Sequence, residues 1–194
     1  MPKRDADHMN AQRERILRAA IGCIGDLGLE RTSVAAICKA AGLSVGAVYK
    51  HFAGKDEIVA EALRFAAMAE ATIPERWPDL RDSIAEVVDE EGFDVTTIAR
   101  TNLQLLASSM RQGPLRDMLA PLLHRQLALL ARRLAAMSDD GQLRLRMSPA
   151  RTALCMSALA DGITWIGLAS GRPHDEIAAD IAAGLACLVE LPDG

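Results

Sequence analysis

The chain has 194 residues and a formal net charge of −4, and it is 50% hydrophobic but only 3% aromatic. This length suits one large domain or a small head on a larger body, with a core built mainly from aliphatic side chains. The four cysteines form no Cys-x-x-Cys pair, so the sequence predicts free thiols in a reducing cytoplasm rather than a disulfide framework or a metal site.

Charge is distributed unevenly along the chain. Residues 1–55 contain nine basic and five acidic residues, whereas the remainder contains 13 basic and 21 acidic residues. A basic head on an acidic body indicates an anionic partner for the head. An accidental excess of surface charge is the competing explanation.

Apolar residues recur at helical spacing along the chain, and helix-forming Leu, Ala, Arg and Glu are frequent. The pattern predicts an all-α fold of about nine helices, with no convincing strand. Glycine, proline and capping residues set the expected helix ends. The expected helices cover residues 11–27, 32 or 33 to 41, 45–52, 55–71, 78–92, 94 or 96 to 111, 115–137, 148–171 and the segment from 173 onward.

One segment is long enough to span a bilayer. The 20 residues between Arg151 and Arg172 carry a single charge, at Asp161. Glycine, serine, threonine and a central aspartate are unfavourable in lipid, so we expect a helix buried against protein and no membrane partner. The polar N-terminal segment also lacks the apolar stretch of a secretory signal.

The segment 32–59, "TSVAAICKAAGLSVGAVYKHFAGKDEIV", has the features of a helix-turn-helix. Ile37 would face inward, Gly42 would form the turn, and Val48 and Phe52 would anchor the second helix. Cys38 is small enough for the point at which the two helices approach most closely. Such a motif predicts insertion of its second helix into a DNA groove.

The outer face of that second helix combines small and hydrogen-bonding side chains. Gly46 and Ala47 would permit close approach to a groove, and the N-termini of the second and fourth predicted helices offer backbone donors to phosphate. The neighbouring side chains can also donate hydrogen bonds to phosphate oxygens. They predict a phosphate clamp formed by Tyr49, Lys50, His51 and Lys55.

From Thr32 to Ile58 the chain follows the pattern T-S-V-x-x-I-x-x-A-A-G-L-S-x-G-x-V-Y-x-H-F-x-x-K-x-x-I. With it, residues 11–60, about a quarter of the chain, resemble the N-terminal domain of the TetR family of bacterial transcriptional regulators. The resemblance implies a helix-turn-helix DNA-binding domain over 1–54 and a helical effector-binding and dimerisation domain over 55–194. It also implies a homodimer joined through helices 8 and 9, a palindromic double-stranded DNA operator, and a repressor that a small molecule releases.

The resemblance also assigns DNA contacts by position. Thr32 corresponds to a helix cap that can touch phosphate, and Ser44 to the cap of the recognition helix. Val45 departs from the polar residues frequent at its position, which shifts base recognition towards Lys50, apolar contacts and DNA shape. Lys3, Arg4 and Arg13 form either an arm that reaches a neighbouring groove or a solvated tail. The predicted DNA-binding set is Thr32, Ser33, Ser44, Val45, Gly46, Ala47, Tyr49, Lys50, His51 and Lys55.

An effector site is predicted on helices 4 to 8. Methionine, leucine and aromatic side chains there would suit a small apolar effector, although such residues could equally be ordinary core. Asp161 and Thr164 would contact the ligand or pair across the dimer. The predicted ligand-binding set is Phe65, Met68, Met110, Met118, Leu122, Met156, Leu159 and Trp165.

Two other classes of function compete with DNA binding: catalysis and protein–protein adaptation. The chain lacks a nucleophile elbow, Glu-x-x-His pairs, a phosphate loop and a dinucleotide fingerprint, so the sequence predicts no catalysis and no cofactor. A helical dimeric protein–protein adaptor without specific DNA binding is the stronger alternative. It explains the helices and the dimer but not the basic head with its "YKHF" cluster.

Overall fold

The computed structural model describes residues 2–69, 73–86, 94–110 and 113–192, which belong to two compact units. Unit 1 combines residues 1–69 with 90–119, and unit 2 combines residues 70–89 with 120–194. Nine helices dominate the described ranges, which confirms the predicted all-α class. They are α1 (Pro2–Leu27), α2 (Val34–Ala41), α3 (Val45–Tyr49), α4 (Lys55–Ala69), α5 (Trp77–Ala85), α6 (Val95–Ser109), α7 (Pro114–Asp139), α8 (Pro149–Ala169) and α9 (His174–Cys187).

An aliphatic cluster joins α1, α2, α3 and α4 in unit 1. Ile16 and Ile37 are fully buried, and Val48, Phe52 and Cys38 are buried with them. The predicted inward positions of the helix-turn-helix are therefore confirmed. Helices as short as α2 and α3 are marginal alone, so this burial, about 1.5–3 kcal/mol for each large side chain, holds them in place.

The beginning of α6 is fixed by an aspartate cap. One carboxylate oxygen of Asp94 accepts a hydrogen bond from the Thr97 backbone N–H and the other accepts one from the Thr97 hydroxyl, each at 2.8 Å. These bonds lower the pKa of Asp94 below its usual value, because they stabilise the ionised form. Asp94, rather than Thr96, therefore starts this helix.

α6 packs closely against the C-terminal half of α1. The Thr101 hydroxyl lies 2.8 Å from the Thr97 carbonyl oxygen and 3.2 Å from the Ile21 carbonyl oxygen. A Cβ atom added to Gly25 would lie 2.6 Å from Thr101 Oγ1 and 3.0 Å from the Thr97 carbonyl oxygen. Glycine is required at position 25 because any side chain would push the two helices apart.

α8 and α9 of unit 2 each accommodate a large side chain of the other. A Cβ atom on Gly167 would lie 2.6 Å from Ile177 Cγ1, and one on Gly184 would lie 2.9 Å from both methyl groups of Leu159. The expectation that small residues permit close helix packing in this segment is confirmed.

The prediction that the chain has no strand is wrong. Two short strands of unit 2, β1 (Arg144–Leu145) and β2 (Val189–Glu190), pair antiparallel with Arg144 opposite Glu190 and Leu145 opposite Val189. A strand of two residues contains no complete alternation of apolar and polar positions, so its sequence pattern cannot reveal it.

Two predicted helix boundaries also differ from the structure. α1 begins at Pro2 rather than Ala11, because proline is well suited to a first turn and polar residues can continue a helix without an apolar face. α3 ends at Tyr49, earlier than the predicted residue 52. A third boundary differs as well: α5 ends at Ala85, and the extended backbone of Glu86 (ψ 113°) interrupts the helix predicted over 78–92. Residues 87–92 lie outside the described residues.

Among the described helices, α8 is long and apolar enough to cross a bilayer by length and composition, with a mean hydropathy of 1.4. Core helices of water-soluble proteins pass the same test. Only 22% of the residues in the apolar window are buried within the chain. Leu154 and Ile166 are 55% and 71% exposed, so α8 carries an outward apolar face.

Candidate nucleic-acid interface

Serine caps define the starts of α2 and α3. Ser33 Oγ accepts a hydrogen bond from the Ala36 backbone N–H at 3.1 Å, and Ser44 Oγ accepts one from the Ala47 N–H at 3.2 Å. The cap of α2 is therefore Ser33, and the alternative that Thr32 caps this helix is wrong. Both caps anchor the beginning of a helix of the helix-turn-helix.

Gly42 forms the turn between the two helices in a left-handed conformation, with φ 61°. Its N–H donates to the Lys39 carbonyl, and the Leu43 N–H donates to the Cys38 carbonyl at 3.0 Å. Because a Cβ atom disfavours this conformation, glycine is the suitable residue. The predicted turn is thus confirmed.

The outward side of α3 is a solvent-facing strip of five residues, Val45, Gly46, Ala47, Tyr49 and Lys50. Val45 and Tyr49 are 49% and 53% exposed, Gly46 and Lys50 are exposed, and Ala47 is half-buried. A Cβ atom added to Gly46 would meet no atom within 4 Å, so this part of the strip opens to solvent. The strip combines an apolar contact, small residues and hydrogen-bond donors, a combination that suits the edges of base pairs and phosphates.

Thr32 lies inside the fold rather than on this strip. The residue is only 2% exposed, and its hydroxyl lies 2.8 Å from the Gly28 carbonyl oxygen and 3.1 Å from the Cys23 carbonyl oxygen. These contacts tie the start of the helix-turn-helix to the end of α1. A phosphate contact by the Thr32 hydroxyl stays a prediction, and it would require these contacts to be lost.

Lys55 and His51 are half-buried at the margin of the strip and already have partners. Lys55 Nζ donates a hydrogen bond to the Leu29 carbonyl oxygen at 2.6 Å. His51 Nε2 lies 3.2 Å from Gln12 Oε1, so it donates to this acceptor when the proton is on Nε2. Lys55 retains two further donor hydrogens, and both side chains are held close to α3.

The start of α4 is partly occupied by its own acidic first turn. Glu57 Oε2 accepts a hydrogen bond from the Ala53 backbone N–H, and Asp56 also lies in this turn. Carboxylates at a helix N-terminus interact favourably with the helix dipole. They also compete with phosphate there, which weakens the expectation that the α4 N-terminus offers backbone donors to DNA.

Arg13 occupies a position that neither sequence-based interpretation foresaw. It lies within α1, where its NH1 donates to the His51 carbonyl oxygen at 3.1 Å and its NH2 contacts Glu61 Oε2 at 3.0 Å. Its guanidinium carbon lies 4.4 Å from the centre of the Phe52 ring. The available signal was its spacing, three residues before the buried Ile16, which places it on the inner face of α1.

The predicted ligand-binding residues of unit 1 have different environments where the structure describes them. The side chains of Phe65 and Met68 lie outside the described residues. Met110 is 74% exposed, and Met118 is half-buried. Two surface clefts of about 500 and 590 Å³ lie elsewhere, between α1 and α2 and between α5 and α9, and predicted ligand-binding residues do not line them.

The members in unit 2 have mixed environments. Met156 is fully buried, and Leu159 packs against Gly184, so both contribute to helix packing. Leu122 and Trp165 are half-buried. For Met156 the structure therefore favours the core role, because protein already covers its surface. Leu159 remains half-buried.

Asp161 is the charged residue in the apolar run of α8. Desolvation raises the pKa of its carboxyl above the usual value, even though part of the residue reaches solvent. Thr164 is half-buried on the same helix. No group of three potential metal ligands occurs in the part of the chain that the structure describes.

Similarity to known proteins extends from the helix-turn-helix to most of the chain. The family profile described as "Bacterial regulatory proteins, tetR family" matches residues 16–62. The HTH-type transcriptional regulator BetI of Stenotrophomonas maltophilia is 32% identical over 74% of this chain and 85% of its own length. The HTH-type transcriptional repressor Rv1474c of Mycobacterium tuberculosis is 39% identical over 48% of this chain, but that match spans only 42% of the repressor.

Solved structures share the fold at lower identity. A TetR-family regulator from Rhodococcus sp. has a TM-score of 0.75 at 21% identity, covering 92% of this chain and 98% of that protein. A transcriptional regulator from Saccharomonospora viridis, crystallised with choline, has a TM-score of 0.74 at 20% identity, covering 94% and 100%. Together with the helix-turn-helix geometry and the BetI match, these similarities show that the chain belongs to the TetR family of DNA-binding transcriptional regulators.

Proposed function

We propose that this regulator is a cytoplasmic homodimeric repressor that binds a palindromic operator and leaves it when a small, apolar molecule binds. The observation that carries the proposal is the exposed strip on α3, where Val45, Gly46, Tyr49 and Lys50 face solvent beside a fully packed inner side. A rigidly anchored helix with such a face suits the major groove.

The proposed contacts fall into base and phosphate classes. Val45, Gly46 and Ala47 approach base edges, and Val45 can contact a thymine methyl group but cannot hydrogen-bond a base. Sequence preference then depends on Lys50 and on DNA shape. The serine caps accept hydrogen bonds from their own helices and keep a hydroxyl hydrogen that can donate to phosphate. The proposed phosphate contacts are Ser33, Ser44, Tyr49, His51 and Lys55, with Thr32 supporting them from inside the fold.

A second copy of the chain is the proposed occupant of the outward face of α8. Leu154 and Ile166 expose large apolar side chains there, and a Cβ atom added to Gly162 would meet no atom within 4 Å. α9 adds exposed small residues at Ala179 and Ala183. Two such faces related by a two-fold axis would bury each other's apolar surface, and a two-fold dimer matches a palindromic site.

The proposed functions are divided between two parts of the chain at the predicted boundary between residues 54 and 55. We propose that residues 1–54 bind DNA and that residues 55–194 bind the effector and form the dimer. Half-buried Leu122 and Trp165 of unit 2 support an apolar effector, because such side chains suit apolar ligands. The choline-bound regulator from S. viridis supports a small-molecule effector in general terms.

The experiment that tests the proposal is selection of genomic DNA fragments by the purified full-length protein at 150 mM salt. Recovery of one palindromic sequence supports a DNA-binding dimer, and its neighbouring genes indicate the class of effector. Recovery of no specific sequence, together with a monomer at micromolar concentration, overturns the proposal. A dimer without DNA selection would favour the adaptor alternative, unless adding metabolite extracts restores binding and so identifies a co-repressor.

We expect Tyr49→Phe to weaken binding to all DNA sequences alike, by about threefold to tenfold, because it removes a single phosphate donor. Lys55→Ala is expected to cause a comparable uniform loss, to which its lost bond to the Leu29 carbonyl contributes. Fluorescence anisotropy with the selected operator and a random-sequence duplex would measure both changes. Unchanged affinity in both variants would remove these residues from the proposed clamp.

Lys50→Ala is expected to change sequence preference if Lys50 contacts a base, and to lower affinity uniformly if it contacts only phosphate. In the second case the negative slope of log affinity against log salt concentration becomes shallower by about one. Arg132→Ala is the control, since it removes one exposed positive charge from α7, outside the proposed DNA contacts and the proposed dimer face. Equal behaviour of the two variants would show that Lys50 acts only through net charge.

A further inference from the structure

One arginine side chain joins the end of the helix-turn-helix to α4. Arg13 NH1 donates to the His51 carbonyl oxygen at 3.1 Å, and Arg13 NH2 binds Glu61 Oε2 at 3.0 Å. We call this arrangement of Arg13, His51 and Glu61 the Arg13 bridge. It connects three segments of unit 1: α1, the residues that follow α3, and the second turn of α4.

The geometry of the bridge favours a stiff connection. A guanidinium group presents its donors in a fixed plane, so two acceptors held by one group are also held relative to each other. The plane is supported by the buried Phe52 ring, 4.4 Å from the guanidinium carbon. The Arg13 and Glu61 side chains are 36% and 28% exposed, so solvent only partly weakens their attraction.

The His51 carbonyl oxygen, which accepts the hydrogen bond from Arg13, lies next to the proposed DNA contacts. Carbonyl groups at a helix C-terminus lack partners within the helix, and the His51 carbonyl lies just beyond the last turn of α3. Arg13 supplies its partner. The position of this carbonyl is linked through two peptide units to Tyr49 and Lys50, which face outward on the strip.

We propose that Arg13 and Glu61 are positioning residues for operator recognition, because their bridge transmits the position of α4 to the recognition helix α3. This inference rests on the proposed function and deepens it. A displacement of α4 that separates Glu61 from Arg13 frees the guanidinium, loosens the His51 carbonyl and reorients Tyr49 and Lys50. Neither Arg13 nor Glu61 needs to contact DNA for this effect.

A positioning role and a purely electrostatic role of Glu61 predict opposite changes in DNA affinity when its charge is removed. Removal of a negative charge from a DNA-binding head strengthens binding to every DNA sequence, because repulsion from phosphate decreases. Loss of the bridge instead weakens binding to the operator. The sign of the change for Glu61→Gln therefore separates a positioning role from simple electrostatics.

The test uses full-length protein, the operator recovered by genomic selection and a random-sequence duplex of equal length. Glu61→Gln is expected to weaken operator binding about fivefold and to leave or strengthen random-duplex binding, since a neutral acceptor replaces a charge-assisted one. Asp56→Asn is the matched control: it removes one exposed carboxylate from the first turn of α4. This control is expected to bind both duplexes at least as tightly as the wild type.

A double-mutant cycle completes the test. Arg13→Gln and Glu61→Gln act on one interaction, so the double variant is expected to lose less affinity than the two single losses multiplied together. Strictly multiplicative losses, or tighter operator binding by Glu61→Gln, would overturn the proposal. Matching unfolding midpoints among the variants are required, because they exclude global destabilisation as the cause.

Amide hydrogen exchange of the protein without DNA tests the Arg13 bridge independently of the proposed repressor function. Glu61→Gln is expected to speed amide exchange at His51 and Phe52 by about threefold or more relative to Asp56→Asn, because the bridge restrains that segment. Unchanged exchange would overturn the inference even if an operator exists. Faster exchange in a protein that selects no operator would retain the mechanical link and refute the proposed repressor.

Discussion

A variant with both Leu154→Glu and Ile166→Glu is expected to be monomeric at micromolar concentration and to bind its operator at least about 100-fold more weakly. In the proposed dimer, burial of the exposed part of each side chain against a second copy would contribute about 1–2 kcal/mol, and the two changes would remove this from both subunits. They also place four carboxylates in the interface. Each half of a palindromic operator must then bind a separate monomer. Binding of the second half-site loses the high effective concentration that a dimer provides.

Sedimentation velocity measures the assembly state, and anisotropy with the selected operator measures the affinity. Leu191→Glu is the matched control, because Leu191 is as exposed as Leu154, at 55%, but lies beyond β2 rather than on α8. It is expected to leave the dimer intact. A double variant that remains dimeric with full operator affinity would place the dimer interface elsewhere.

Gly25→Val is expected to lower the free energy of unfolding by about 2–3 kcal/mol. The added Cβ atom would overlap Thr101 Oγ1 and press on the Thr97 carbonyl oxygen, which is backbone and cannot turn aside. Overpacking of a close helix contact typically costs about 1–3 kcal/mol, and the added γ-methyl groups increase the overlap. Denaturation by urea, followed by circular dichroism, would report the loss.

Gly46→Ala provides the comparison for this stability measurement. Gly46 also lies in a helix of unit 1, but a Cβ atom there meets nothing within 4 Å. Its unfolding free energy is expected to stay equal or to rise by up to about 1 kcal/mol, because alanine favours a helix more than glycine does. Equal stability of the two variants would mean that α1 and α6 can separate at little cost.

The helix-turn-helix was predictable because its signals are local. Ser44 lies one residue before α3, and Gly42 occupies the left-handed turn. Ile37 and Ala41 recur four residues apart on the buried side of α2. Each of these features depends on the residue and its near neighbours in sequence. The family resemblance depends on the same residues, which explains why it identified the family correctly.

Contacts between distant residues were not predictable in the same way. Arg13 contacts His51 and Glu61 across 38 and 48 residues of sequence, and the Thr32 hydroxyl turns inward to the Cys23 carbonyl of α1. Such contacts depend on how helices cross, which no local pattern encodes. The effector site was harder still, because a methionine or leucine that lines a pocket has the same spacing as one that fills a core.

Gly167 and Gly184 each leave a notch in the surface of α8 or α9 into which a side chain of the other helix fits. These notches limit how the sequences of the two helices can vary during evolution. Ile177 fits against Gly167, and Leu159 fits against Gly184, about two helical turns away along the pair. A shift by one residue moves a helix about 1.5 Å and turns it by about 100°, which would remove both side chains from their notches together. Gradual slippage into a neighbouring register is therefore blocked. An inherited enlargement of either glycine would require a smaller residue opposite, so these four positions are expected to vary among descendants as two linked pairs.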